Sequence, residues 1–554
     1  MKLNQSLNIK VRQLAMDGQA YVPIQGETVI LNGVLPDEEV KVTLIKRIKE
    51  GWIGRVDALI KRSPKRVNSA CPYSLKCGGC AYLHMDYAYE LQLKKQQLID
   101  LVNSQGLRLK VHDVCGMAAP CAYRNKIIMS FGRHGKQVQF GFYSDYSHEI
   151  VDIKNCLNHD EVSNRILQTI KELVIKYRVE IYDEDRRTGF LRHVLIRRGF
   201  MSNQTLVCFV GAQKVWPGSK NFVSELIQRC PEVTSVVQNT NSRKTSVVLG
   251  DEEKVLYGKG FIIDKLLGVK YTISAKSFYQ INHDQTEKLY AKAIELMALK
   301  GNEMVYDMYC GIGTIGISAA SKAKKVIGVE VNRQAVEDAK KNAAVNQIKN
   351  VEFVCEDASA YMKKAAAQRR MVDAVFIDPP RSGSDEAFLT ALANMKPKQI
   401  VYVSCNPQTQ MRDIKVLMKY GYQAEECYPF DMFPRTAHVE TVVSLSHKKA
   451  DTHINVNVEF GDEDGQIPID EIARKAEEYR PNERVTYKMI QEYIENKYNF
   501  KVHTSYIAEV KRDLGLPMYD APNAIEELKH ERKHPTPEKV EAIKDALKHY
   551  GVSQ

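Results

Sequence analysis

Hydrophobic and polar positions change their period several times along this chain. Up to about residue 62, short apolar runs such as Val22 and Ile24, Val29 and Ile30, and Val40, Val42 and Leu44 are broken by turn residues. The breaks are Asp17-Gly18, Gln25-Gly26, Asn32-Gly33 and Pro36-Asp37. Short strands punctuated this way predict a small OB-like β-barrel. Residues 87–102 switch to helical spacing, with Leu91, Leu98 and Val102 among the apolar positions. Residues 126–131, 137–143, 191–197 and 204–210 alternate as strands. From residue 304 onward, apolar strands alternate with helical stretches, the pattern of a parallel sheet wrapped in helices. Beyond residue 486, three helices are predicted, at 486–497, from 504, and from 537 toward 550.

These changes predict a multidomain α/β protein. Residues 1–62 form the barrel and 63–285 a central α+β domain. Residues 286–450 form a Rossmann-like domain, and 451–554 a mostly helical extension that could be helix-turn-helix-like. A length of 554 residues suits three or four such domains. Hydrophobic content of 44% and charged content of 27% are ordinary for a soluble chain. No apolar run reaches membrane-span length, and Met1-Lys2-Leu3-Asn4-Gln5 has no signal-peptide core. A cytoplasmic monomer with no membrane partner is expected. The net charge of +11 is consistent with a polyanionic partner. Lys41, Lys46, Arg47, Lys49 and Arg55 concentrate positive charge on the barrel. Arg186, Arg187, Arg192, His193, Arg197 and Arg198 do so in the middle, as an RNA path or as the polar face of a half-buried sheet.

Twelve Cys in a long intracellular chain point to metal binding or catalysis rather than disulfides. Cys71, Cys77 and Cys80 lie within ten residues, with Gly78-Gly79 allowing close wrapping. Cys156 is the chosen fourth ligand, ahead of Cys115 and Cys121. All-thiolate ligation suits zinc or an iron–sulfur cluster, and three close thiols plus a distant one favour [4Fe-4S].

A short strand ends in Asp307-Met308-Tyr309-Cys310 and enters Gly311-Ile312-Gly313-Thr314-Ile315-Gly316. A G-x-G-x-x-G turn between strand and helix holds a dinucleotide or nucleoside. The next strand ends in Glu330, where a carboxylate suits ribose hydroxyls. Asp307 and Asn332 fit S-adenosylmethionine better than NAD. Asp378-Pro379-Pro380-Arg381 follows the fourth strand and resembles the substrate loop of nucleic-acid methyltransferases. An apolar run, residues 400–403, then delivers Cys405 to the same edge, and Glu440 opens the final strand. This thiol and carboxylate have a joint use. A thiolate adding to carbon 6 of uracil makes carbon 5 electron-rich enough to take a methyl group. A base must then remove the carbon 5 proton before the thiol leaves.

Cys71…Cys77-Gly78-Gly79-Cys80…Cys156, Asp307-Met308-Tyr309-Cys310-Gly311, Asp378-Pro379-Pro380-Arg381, Ser404-Cys405-Asn406-Pro407 and His438-Val439-Glu440-Thr441 together resemble the bacterial RNA uracil-5-methyltransferase family. The match is nearest to its 23S ribosomal RNA branch with a TRAM domain and an iron–sulfur cluster. Gly33-Val34-Leu35-Pro36-Asp37-Glu38-Glu39-Val40 is similar to a TRAM module. The resemblance spans residues 1–447. It implies Cys405 as nucleophile and Glu440 as base. It implies S-adenosylmethionine contacts from Gln280, Tyr309, Glu330 and Asp378 beside Gly311 and Gly313, and [4Fe-4S] ligation by Cys71, Cys77, Cys80 and Cys156. The expected substrate is a loop uridine of 23S ribosomal RNA, since single-stranded bases flip out most cheaply. A tRNA uracil-5-methyltransferase and a non-catalytic ribosome assembly factor are the alternatives. A nucleophilic Cys405 should have a depressed pKa, or acquire one with substrate bound. The resemblance does not reach the C-terminal helices, where Lys511 and Arg512 could touch nucleic acid.

Overall fold

The computed structural model describes residues 1–135, 137–143, 149–243, 247–447, 487–514, 516 and 534–550. They belong to two units, Met1–Lys449 and Ala450–Gln554.

The first unit begins with a five-stranded sheet built from Ser6–Lys10, Ala20–Ile24, Glu27–Leu31, Glu39–Ile48 and Gly51–Lys61. The spatial order is first, fourth, fifth, third, second. Three register shifts bend the long fourth–fifth pair. The sheet buries Val29, Leu31, Val40, Val42 and Leu44 together with Tyr82, Met85 and Ala437 from later in the chain. It is therefore packed onto later parts of the first unit and not left free.

A second, seven-stranded sheet follows in the order Glu252–Tyr257, Val233–Thr240, Thr205–Gly211, Leu191–Arg198, Lys126–His134, Gln137–Tyr143, Ile150–Asp152. The alternating pattern led to the expectation of a half-buried sheet. The strands form where expected, yet Thr205–Gly211 is buried at every residue. One face packs under helices Glu161–Lys176 and Ser219–Arg229, through residues such as Ile166, Leu173 and Phe222. The other contributes Leu195, Leu206 and Cys208 to the core beneath the third sheet.

The third sheet has eight strands in the order Val351–Cys355, Lys325–Glu330, Met304–Met308, Ala374–Ile377, Gln399–Ser404, Glu440–His447, Tyr422–Phe430, Lys110–Val111. Neighbours among the first five pair in parallel. Glu440–His447 returns antiparallel to Gln399–Ser404. The chain order reverses between Met304–Met308 and Ala374–Ile377, which is where such sheets bind ligands. Lys110–Val111 joins this sheet from within residues 63–285, so that stretch is not one separate body.

The second unit contains helices Tyr487–Tyr498, Thr504–Asp513 and Pro537–His549 around Ile490, Ile494, Ile507, Ile543 and Leu547. His503, not Thr504, caps the middle helix, its ring accepting from the Ser505 amide at 3.2 Å. Gly515 and Pro517, expected to end that helix, lie outside the described residues. Among the described residues, no helix is long and apolar enough to cross a membrane.

Candidate active site and thiol cavity

Cys405 stands between strand Gln399–Ser404 and Asn406, the N-cap of helix Pro407–Met418. The Asn406 side chain accepts from the Gln408 amide at 3.1 Å and donates to the Arg381 carbonyl at 2.9 Å. The Thr409 hydroxyl donates to the same carbonyl at 3.3 Å. These bonds tie the turn carrying Cys405 to the loop carrying Asp378. On the other side, Ser404 faces Thr441 and Val403 faces Val442. One step outward along that register come Cys405 and Glu440. Glu440 is 2% exposed.

This neighbourhood is rich in carboxyls. Burial pushes the Glu440 carboxyl up to about 8, with Asp378 adding and Arg381 opposing. Burial lifts Asp378 to about 7. Burial likewise pushes the Cys405 thiol up to about 11, again with Glu440 and Asp378 adding and Arg381 opposing. The expected depression is absent from the free protein, because burial and two acids outweigh one exposed guanidinium. Cys405, Asn406, Arg381, His438 and Val439 line a cavity of about 340 Å³, and Ala15, Met16 and Asp17, from the turn after the first strand of the N-terminal sheet, line it too.

The glycine loop lies at the switch point. Tyr309 and Gly311 take left-handed φ angles of 62° and 55°. The two Glu330 oxygens accept from the Gly311 amide at 3.1 Å and the Asn332 amide at 2.8 Å. Asp307 is buried behind the loop and accepts from the Gly316 amide at 2.8 Å. A Cβ on Gly316 would lie 2.7 Å from that carboxylate, so this third glycine is what permits the bond. Burial holds Asp307 up at about 7. Gly311 and Glu330 line a cleft of about 530 Å³ with Asn332, Ser277, Phe278 and Asp338. Gly313 caps the following helix Thr314–Ala319. Gln280 is buried, its side chain bonding the Tyr290 hydroxyl, and its carbonyl accepts from Asn125 at 2.7 Å. The Tyr309 hydroxyl is 3.5 Å from that of Ser384. Asp357, a possible adenine partner by sequence, caps helix Ala358–Ala367.

Several residues at these sites were missed from sequence. Ser277 and Phe278 stand next to Gln280 in the chain, and that adjacency was their only signal. Asp338 accepts from Ser277 at 3.2 Å and from Gln334 at 3.1 Å, an arrangement no local motif announces. Ala15 to Asp17 had no signal at all. The central arginines resolve mostly toward structure. Arg192 bonds Glu184 at 2.7 Å and two backbone carbonyls at 2.9 Å. Arg197 is buried and donates to the Ser277 carbonyl. Arg198 donates to Thr205 at 2.9 Å. Arg186 and Arg187 remain exposed.

Cys71, Cys77, Cys80 and Cys156 line one cavity of about 80 Å³, walled by Leu83, Phe142, Ile153 and Leu157. Cys115 and Cys121 do not line it. Burial pushes the Cys80 thiol up to about 12, and neighbouring Cys156 and Cys77 add to the shift. Cys156 is raised for the same main reason, with Arg124 opposing. Asn158 donates to the Cys80 sulfur at 3.2 Å. Among the described residues, no three His, Cys, Asp or Glu close into a finished metal-holding set. The thiols surround a shared space without yet forming a cage.

A parallel sheet with a glycine turn, an acid at the next strand end and a thiol beside a buried carboxyl define a nucleotide-cofactor transferase with a cysteine at its centre. Residues 237–448 match the family model described as tRNA (Uracil-5-)-methyltransferase. An uncharacterized RNA methyltransferase of Bacillus cereus (strain ATCC 10987) is 40% identical over 445 residues, covering 80% of this chain and 97% of that protein. One from Staphylococcus aureus (strain MSSA476) is 41% identical over 441 residues, covering 79% and 97%. The crystal structure of Pyrococcus abyssi tRNA (uracil-54, C5)-methyltransferase with S-adenosyl-L-homocysteine superposes with a TM-score of 0.64 at 28% identity, covering 79% of this chain and all of that one. The chain belongs to the RNA uracil-5-methyltransferase family.

Proposed function

We propose that this protein methylates carbon 5 of a loop uridine in 23S ribosomal RNA, using S-adenosylmethionine. The observation that carries the reading is the strand register that sets Cys405 beside Glu440. The cleft suits the cofactor. Each Glu330 oxygen accepts one amide and keeps acceptor capacity for ribose hydroxyls. Gln280, Tyr309, Asp378, Gly311 and Gly313 surround the same strand ends. Bound S-adenosylmethionine would supply the electrophilic methyl group.

Cys405 gives up its proton to solvent, and its sulfur forms a bond to carbon 6 of uracil. The displaced electron pair makes an enolate, and carbon 5 takes the methyl group as the sulfonium S–CH3 bond breaks, leaving a neutral thioether. Glu440, as carboxylate, removes the carbon 5 proton. The electron pair of that C–H bond re-forms the double bond and expels the Cys405 thiolate. Both groups must work deprotonated, so substrate binding has to offset their raised values. Arg381 is the cation nearest to that task.

Cys71, Cys77, Cys80 and Cys156 are proposed to hold a [4Fe-4S] cluster. Their all-sulfur donor set in an apolar-walled cavity fits it. A cluster there would brace the Cys71–Cys80 loop against Cys156. The five-stranded sheet is read as the TRAM module. A second reading, methylation of tRNA, is favoured by the Pyrococcus abyssi enzyme, which acts on tRNA uracil-54 and matches most of this chain. Mapping 5-methyluridine by mass spectrometry in ribosomal and transfer RNA, from cells with and without the gene, separates the two. Loss at a 23S loop position is expected. Loss only from tRNA would replace the substrate and keep the chemistry.

A further inference from the structure

The cavity holding Cys405 is not made by the methyltransferase sheet alone. Ala15, Met16 and Asp17 also line it. We propose that this turn of the N-terminal sheet is a base-reading subsite, with Asp17 accepting a hydrogen bond from the exocyclic amine of a nucleobase flanking the target uridine. The proposal rests on the uridine reading and adds a specificity determinant to it.

The turn is held in place from three directions. The Gln97 side chain donates to the carbonyls of Leu14 and Ala15, each at 3.0 Å. Within the turn, the Gly18 amide donates to Ala15 at 2.9 Å and the Ala15 amide to Gln19 at 2.8 Å. Gly18 has a φ of 86°, and a Cβ there would sit 3.2 Å from that of Ala437. The turn is thereby packed against the loop that leads to His438 and Glu440. Its geometry relative to Cys405 is preorganised, as a specificity element requires.

The chemistry of the wall selects the ligand. Asp17 is oriented by the Tyr21 hydroxyl at 2.6 Å and the Gln19 amide at 2.9 Å. A carboxylate offers about four acceptor positions, so roughly two remain. A phosphate is repelled from such a group, so the RNA must present a donor there. Cytosine, adenine and guanine each carry an exocyclic amine that can donate twice, whereas uracil carries only its single ring N3–H. Met16 beside it offers a soft apolar surface for a base face.

The test uses the full-length protein and a panel of RNA hairpins carrying the mapped target uridine. Each flanking base is replaced in turn by uridine, and kcat/KM for methyl transfer is measured. For the wild type, one flanking position should show about a tenfold loss when its amine is removed. Asp17→Ala should abolish that discrimination and leave kcat on the amine-free hairpin within about twofold. Asp17→Asn, whose amide can also donate, should narrow or reverse the preference. Wild type with no flanking preference overturns the proposal, as does Asp17→Ala with wild-type discrimination or an equal loss on every hairpin. A wild type that methylates none of the hairpins would instead count against the uridine reading itself.

Discussion

At the scale of single residues, burial favours the protonated forms of Cys405 and Glu440, the two groups proposed to react. Glu440 titrates near 8 against an ordinary 4.5, and Cys405 near 11 against 9. Methyl transfer should therefore rise as pH increases from 6.5 toward 9, measured as kcat/KM at saturating cofactor. A flat profile would mean that these groups do not act as drawn. Cys405→Ala should lose at least 10³-fold in turnover, as expected for removal of a covalent nucleophile. Glu440→Gln should stop after methyl transfer and accumulate a protein–RNA adduct visible on a denaturing gel. The same variant should change stability. A carboxyl raised by folding stabilises fully below its unfolded value, and that contribution is lost as pH rises through the folded one. Glu440→Gln should thus melt with the wild type near pH 4 and above it at pH 8, by on the order of 1–3 kcal/mol. The strand-end places of Cys405 and Glu440 were legible from the apolar runs beside them. Their raised values were not, because burial and the approach of Asp378 are properties of the assembled sheet edge.

At the scale of elements, helix Tyr87–Ser104 anchors the loop that leads into the final strand. Lys94 is wholly buried between Glu90 at 2.8 Å and Asp431 at 2.7 Å. The Tyr87 hydroxyl donates to Asp431 at 2.7 Å, and the Arg435 amide donates to Glu90 at 2.9 Å. Lys94→Met removes the cation that Glu90 and Asp431 share, leaving Glu90 only the Arg435 guanidinium at 3.5 Å. Unfolding in urea should show a loss of about 3–5 kcal/mol with an unchanged slope. A loss below about 1 kcal/mol would mean that the network is not what holds the loop. The helix itself was legible from its apolar spacing. Its partner lies 337 residues away, and no periodicity carries that information. Tyr123-Arg124-Asn125 shows the same limit. As a string it offers stacking and phosphate-binding side chains. In the fold Tyr123 donates to the Pro434 carbonyl at 3.2 Å, Asn125 holds the Gln280 carbonyl, and Arg124 faces the thiol cavity.

At the scale of the whole molecule, the chain forms two units. The Bacillus cereus relative is matched over 97% of its length by 80% of this chain, so about a fifth of this chain lies outside that match. A chain ending at residue 447 should retain RNA methyl transfer within about threefold of full length. Loss of transfer with intact folding would give the C-terminal helices a part in substrate binding. Anaerobic purification should yield brown protein with about four irons per chain. Colourless protein with stoichiometric zinc would replace the cluster with a zinc site. Binding of RNA by a chain of net charge +11 should weaken linearly in log–log salt titrations.

The sequence by itself determined the strands, the main helices, the glycine turn and the strand-end positions of Cys405 and Glu440. These depend on local periodicity and on turn chemistry, which act over a few residues. Only the tertiary structure decided that the central sheet is buried on both faces, that Lys110–Val111 extends the methyltransferase sheet, and that four distant thiols share one cavity. It also decided that Ala15 to Asp17 wall the cavity of Cys405. Such outcomes depend on which surfaces meet, and burial, which sets both packing and pKa, exists only once they have met.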